Sequence, residues 1–137
     1  MLSIQFLTTK EISPNTHSII YPLLRWNESI NSKVGKTIVS QSNLKGNSDI
    51  IILDSKYHKY WWYDKDLGKE AVINDIDRIK KRCGKIIYYD TTDSSGSIQK
   101  EVFKLIDQYW KGQTLIRKNL YKQIFSNERI FTDYLKK

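Results

Sequence analysis

Cysteine is nearly absent. The one present, Cys83, can form neither an internal disulfide nor a thiolate metal site, and such usage suits a reducing, cytoplasmic setting. Prolines number two and glycines six, so little interrupts the chain, and no block of like charge dominates it; a disordered polypeptide is excluded. No apolar run approaches the roughly 20 residues that span a bilayer. The N-terminal MLSIQFLTTKE has neither a basic region nor a small-residue cleavage site, so no secretory signal is expected. Only two histidines occur, His17 and His58, and neither has a metal-ligand partner at helical spacing, so no metal is expected.

What is present fits a soluble α/β chain. The residues 50–53, Ile-Ile-Ile-Leu, form the longest apolar run, and the strand they predict, Asp49–Asp54, is buried on both faces in the manner of a central parallel strand. Further strands are predicted over Leu2–Thr8, Lys36–Ser40 and Ile86–Tyr89. Val72, Ile76, Ile79 and Cys83 make one stripe of a helix over Glu70–Cys83, with Gly84 expected just past its end. Ile19, Ile20, Leu23, Leu24 and Ile30 mark an earlier helix capped by Asn15 or Thr16, with Pro22 near its first turn or delaying its start. Ile98, Val102, Leu105, Ile106 and Tyr109 predict a helix after the fourth strand, capped by Ser97, and Leu115–Phe125 a further helix or an irregular arm. Strands alternating with amphipathic helices imply a mostly parallel, Rossmann-like sheet flanked by helices, here one α/β domain over 1–137. Ligands of open parallel sheets lie beyond the carboxyl ends of the strands, which gathers Thr8–His17, Asp54–Trp62 and Asp90–Ser97 on one rim.

The third of these segments is the richest in chemistry. KIIYYDTTDSSGS, residues 85–97, stops an apolar strand at Asp90 and follows it with acids, hydroxyls and a glycine. Such residues form turns and helix caps; they also suit a sugar hydroxyl or a phosphate, held by Ser94, Ser95 and Gly96 beside a helix N-terminus, with Asp90 or Asp93 as proton acceptor. There is no GxxxxGK[ST] phosphate loop and no GxGxxG dinucleotide fingerprint, so no nucleotide cofactor of those kinds is expected. YHKYWWYDK, residues 57–65, mixes aromatics with basic residues, a pattern that serves either base stacking or a packed lid over the third strand's end, the latter favoured.

Net charge is +8. Residues 1–68 carry eight Lys and Arg against six Asp and Glu, and residues 69–137 carry fifteen against nine, so the excess sits in the second half. It suits a solvated face, phosphorylated substrates or an anionic membrane surface touched from the cytoplasmic side. Nucleic acid is disfavoured because no recognition module accompanies the charge.

The runs DSKYHKYWW, IIYYDTTDSSG and ERIFTDY, with the opening FLTTKEISPNTHSIIYPLLR, resemble the N-terminal portion of a bacterial glycosyltransferase-like family of the two-domain GT-B type. The resemblance covers most of the chain and is sharpest at YYDTTDSSG and RIFTDY. It implies an acceptor-side domain that takes part in moving a sugar from a nucleotide-sugar to a glycan or lipid-linked acceptor in surface-polysaccharide assembly, with no cofactor beyond the donor. Carried over residue by residue, it points to His17, Asp90, Asp93, Ser94 and Arg129. It also implies a second domain for the donor, so the chain is expected to be an N-terminal fragment, inactive alone. The alternative is a non-catalytic flavodoxin-like or receiver-like binding module. Its common forms need a hydroxyl-rich phosphate turn or paired acids after the first strand, and TTKEISPNTH supplies neither.

Overall fold

A computed structural model describes residues 2–10, 13–41, 43–62, 64–92, 98–112, 114 and 116–122, with backbone only at 34, 36–41 and 121. Five parallel strands form one sheet in the order β2-β1-β3-β4-β5. They are β1 (Leu2–Thr8), β2 (Gly35–Gln41), β3 (Ser48–Asp54), β4 (Cys83–Asp90) and β5 (Gln108–Lys111). Among the described residues three α-helices accompany them: α1 (Pro14–Arg25), α2 (Asn27–Val34) and α3 (Gly68–Lys80). The architecture is the Rossmann-like parallel α/β sheet that the sequence predicts, with the 50–53 run in the middle strand.

Alternation along the strands splits the core. Leu7, Ile51, Leu53, Ile86 and Tyr88 turn to one face and are buried with Val72, Ile76 and Ile79 of α3. Phe6, next to Leu7, turns to the opposite face, and both it and Ile20 of α1 are buried apart from that cluster. Tyr57, Trp61 and Trp62 pack against the α3-side core, so most of the aromatic cluster at 57–65 serves as the lid. Burial holds the Tyr88 phenol well above its ordinary range, and its hydroxyl donates to Gln99 Oε1.

Three local expectations are corrected. Helix α1 is capped by Ser13, whose Oγ accepts from the Thr16 amide at 3.3 Å, and Pro14 takes the first turn; Pro22 lies inside the helix. Gly84 does not end α3 but lies within β4, where an added Cβ would stand 2.9 Å from the Asp49 carbonyl oxygen of β3. The largest correction concerns 98–109. Lys100–Val102 forms a short 3₁₀ turn, and the chain then enters β5, pairing Ile87 with Gln108 through Asp90 with Lys111. Asp107 fixes that entry: its amide donates to the Ile86 carbonyl at 2.9 Å, and its carboxylate accepts from the Ile86 amide at 2.7 Å. Beyond β5, Lys118–Lys122 is a 3₁₀ turn preceded by a bend at 116–117, and residues 115 and 123–125 of the predicted arm lie outside the described residues. No described helix is long and apolar enough to cross a membrane.

Candidate functional site

Parallel strands deliver their C-terminal residues to one rim, and here β1, β3 and β4 end on Thr8, Asp54 and Asp90. Asp54 is fully buried. Its Oδ2 accepts from the hydroxyls of Thr8 (2.7 Å) and Thr16 (2.8 Å). Its Oδ1 accepts from the Thr91 hydroxyl (2.6 Å) and the Lys56 amide (3.1 Å). Among the described residues no cation forms an ion pair with it, so four neutral donors replace its water shell. The bonds join the end of β1, the first turn of α1, the end of β3 and the start of the loop after β4. The three predicted rim segments therefore meet on one carboxylate.

Asp90, one strand over and 1% exposed, is held differently. Its Oδ2 meets Lys111 Nζ at 2.8 Å and accepts from the Tyr109 hydroxyl at 2.6 Å; both partners come from β5. Its Oδ1 accepts from the Thr92 amide (2.9 Å) and hydroxyl (2.6 Å). The Lys111 side chain is only 5% exposed, so this is a buried ion pair. The carboxylate is thus engaged by four donors, which suits a group that shapes the loop more directly than one that takes up a proton.

A cleft of about 120 Å³ opens beside these two carboxylates, lined by Asn15, Ser18, Tyr89, Thr91, Thr92 and Gly112. Asn15 Nδ2 donates to the Thr91 carbonyl at 3.1 Å, drawing α1 against the loop after β4. Gly112 closes one side: a Cβ there would lie 3.3 Å from the Tyr89 hydroxyl oxygen and 3.4 Å from the Asp90 carbonyl oxygen.

Of the residues singled out in the sequence, Asp90 stands at this rim. His17 is an exposed α1 residue whose ring lies 5.7 Å from that of Tyr21, and it does not line the cleft. Asp93, Ser94, Ser95, Gly96 and Arg129 lie outside the described residues. Asp54, Thr8, Thr16, Thr91, Asn15, Tyr109 and Lys111 are not singled out by the sequence as site residues; Asn15 and Thr16 enter there as helix-cap candidates and Tyr109 as part of a helical stripe. Asp54 carried one usable signal, a lone acid at the end of the most apolar strand; Lys111 and Tyr109 carried none, because they sat in a predicted helix.

A second polar cluster lies under the aromatic lid. His58 is fully buried, with Nε2 2.9 Å from Asp75 Oδ2 and edge-on contacts to Tyr57 and Trp61. Its Nδ1 has no hydrogen-bond partner among the described residues. Arg78 grips the other oxygen of Asp75 through Nε (2.8 Å) and Nη2 (2.5 Å). Burial acts to raise the Asp75 carboxyl, but the hydrogen bonds and charges of His58 and Arg78 outweigh it and hold the group below its ordinary 3.8. Among the described residues no group of three or more His, Cys, Asp or Glu is gathered to hold a metal ion.

Comparison of the chain with protein-family models, with curated proteins and with solved structures found no match.

Proposed function

We propose that the chain is the acceptor-side domain of a glycosyltransferase, and that the rim cleft holds a sugar ring of a glycan or lipid-linked acceptor. The observation that carries this reading is the lining of the cleft. It combines an aromatic ring, Tyr89, with small hydroxyl and amide side chains, at the strand ends where parallel α/β sheets bind ligands. Sugars offer dense hydroxyls and apolar ring faces, and this mixture serves both. The resemblance of YYDTTDSSG and RIFTDY to glycosyltransferase-like proteins points the same way. In the proposed reaction Asp93 takes the proton of the attacking acceptor hydroxyl, while Asp90 orders the loop that carries it. Ser94, Ser95, Gly96, His17 and Arg129 belong to the wider substrate surface, and the nucleotide-sugar sits on a companion domain, as the resemblance implies.

Transfer from labelled nucleotide-sugars by the intact gene product tests the reading. Asp93→Asn is expected to lower kcat by roughly 10²-fold or more, the scale of a lost general base. Unchanged transfer in that variant removes the assigned role, and no turnover by the wild type with any nucleotide-sugar removes the reaction.

One observation favours a second reading, a non-catalytic binding module. Asp54 and Asp90 both have their oxygens filled by internal donors. Sugar binding without transfer is the outcome that selects it.

A further inference from the structure

The protons of the groups that line the cleft are mostly committed. The Thr91 hydroxyl gives its proton to Asp54 and the Thr92 hydroxyl gives its proton to Asp90. The Ser18 hydroxyl gives its proton to the Asn15 carbonyl at 2.7 Å. The backbone follows suit: the Thr91 amide donates to Ser55 Oγ, the Thr92 amide to Asp90, and the Gly112 amide to the Asp90 carbonyl. One N–H of the Asn15 side chain goes to the Thr91 carbonyl. A hydroxyl whose single proton is spent retains only acceptor lone pairs. Thr91 Oγ1 also pairs with Ser55 Oγ at 3.3 Å and Thr92 Oγ1 accepts from Lys111 Nζ at 3.4 Å, which leaves each one further lone pair. The three lining hydroxyls therefore keep acceptor capacity alone, and among the described residues Tyr89 supplies the lining hydroxyl whose proton has no internal acceptor. Charge works the same way. The nearby cation, Lys111, is neutralised by Asp90, and Asp54 adds a buried negative charge behind Thr91.

We infer that the cleft selects by hydrogen-bond polarity: it takes a neutral polyol that presents O–H donors and turns away phosphate, with Asp54 and Asp90 as the positioning residues that orient the Thr91 and Thr92 hydroxyls. This inference rests on the sugar-site reading and narrows it. A phosphoryl group is an acceptor on every oxygen and carries negative charge, so facing these lone pairs it would lose hydration that the Tyr89 hydroxyl replaces only in part. A sugar hydroxyl donates one proton and replaces a water bond with a protein bond.

The test is an amide chemical-shift titration of the ¹⁵N-labelled chain with methyl α-glucopyranoside, with N-acetylglucosamine and with inorganic phosphate, at ionic strength matched by sodium chloride. Saturable shifts at Ser18, Thr91, Thr92 and Gly112 with a glycoside, and none with phosphate, are expected. Phosphate saturating the same amides as tightly as the glycosides overturns the polarity inference but leaves a ligand cleft. No saturable shift with any of the three overturns the sugar-site reading and this inference with it. Ser18→Ala and Thr92→Val each delete one acceptor, and the first lies on an exposed helix position that folding tolerates. Each is expected to weaken glycoside binding by about five-fold, the scale of one net hydrogen bond. Wild-type affinity in both variants overturns the assignment of the hydroxyls as the recognising groups.

Discussion

Asp54 and Asp90 end adjacent strands, are equally buried, and each receives four donors, yet they are stabilised by opposite means. Asp54 is surrounded by three hydroxyls and an amide, all neutral. Asp90 has a lysine ammonium, a phenol and two donors of Thr92. The difference follows from sheet position. Asp54 closes the central strand, where its neighbours are the ends of β1 and β4 and the first turn of α1. Asp90 is next to the edge strand, whose register places Lys111 directly beside it. A buried carboxylate without a cation survives when hydrogen bonds saturate it; one paired with a cation becomes an uncompensated buried charge when that cation is removed.

The largest effect is therefore expected from Lys111. Lys111→Met leaves Asp90 buried without its charge partner and should cost about 3–5 kcal/mol in urea unfolding, whereas adding Asp90→Asn should recover much of that loss. A loss under about 1 kcal/mol for the single variant would break the contrast between the two carboxylates. Thr8→Val removes one of four donors to Asp54 and should cost about 1.5–3 kcal/mol, the scale of a hydrogen bond to a charged group. Equal losses at Thr8 and Lys111 would mean that neither carboxylate depends on a particular partner.

Asp75 sharpens the comparison from outside the rim, since His58 and Arg78 hold its carboxyl below the ordinary 3.8. In acid the unfolded chain takes up this proton first, so the contribution of Asp75 is present above about pH 4 and fades as pH falls through the lowered folded value. Arg78→Ala should move the midpoint of acid unfolding to higher pH; an unmoved midpoint removes the ion pair as a source of stability. The smallest effect belongs to Gly112. Gly112→Ala brings a methyl group to 3.3 Å of the Tyr89 hydroxyl oxygen. It should cost about 1 kcal/mol at most, because that oxygen is the far end of a side chain that can shift by a few tenths of an ångström, while narrowing the cleft and weakening glycoside binding.

The parts of the fold legible in the sequence were those whose burial leaves a local pattern. The Ile-Ile-Ile-Leu run of β3 and the stripe Val72, Ile76 and Ile79 of α3 each declare their environment within a few residues. The segment 98–109 failed for a definite reason. Ile98, Val102, Leu105, Ile106 and Tyr109 do repeat at helical spacing, but their partners are distant in sequence: Tyr109 stacks on Tyr88, and Asp107 clamps Ile86. Local periodicity does not report such pairings. The site was legible as a place but not as a set of contacts. Strand order put Thr8, Asp54 and Asp90 on one rim, yet nothing local says that Thr8, Thr16 and Thr91, up to 46 residues from Asp54 along the chain, converge on it.

Sequence by itself determined the class of fold, the central strand, and the rim on which polar residues gather, because hydrophobic alternation and parallel topology act through residue order alone. Tertiary structure decided which hydroxyls spend their protons, which carboxylate receives a cation, and that an edge strand replaces a helix. Those outcomes depend on hydrogen bonds a few ångströms long between residues remote in the chain, and their energy exists only once the sheet has brought the partners together.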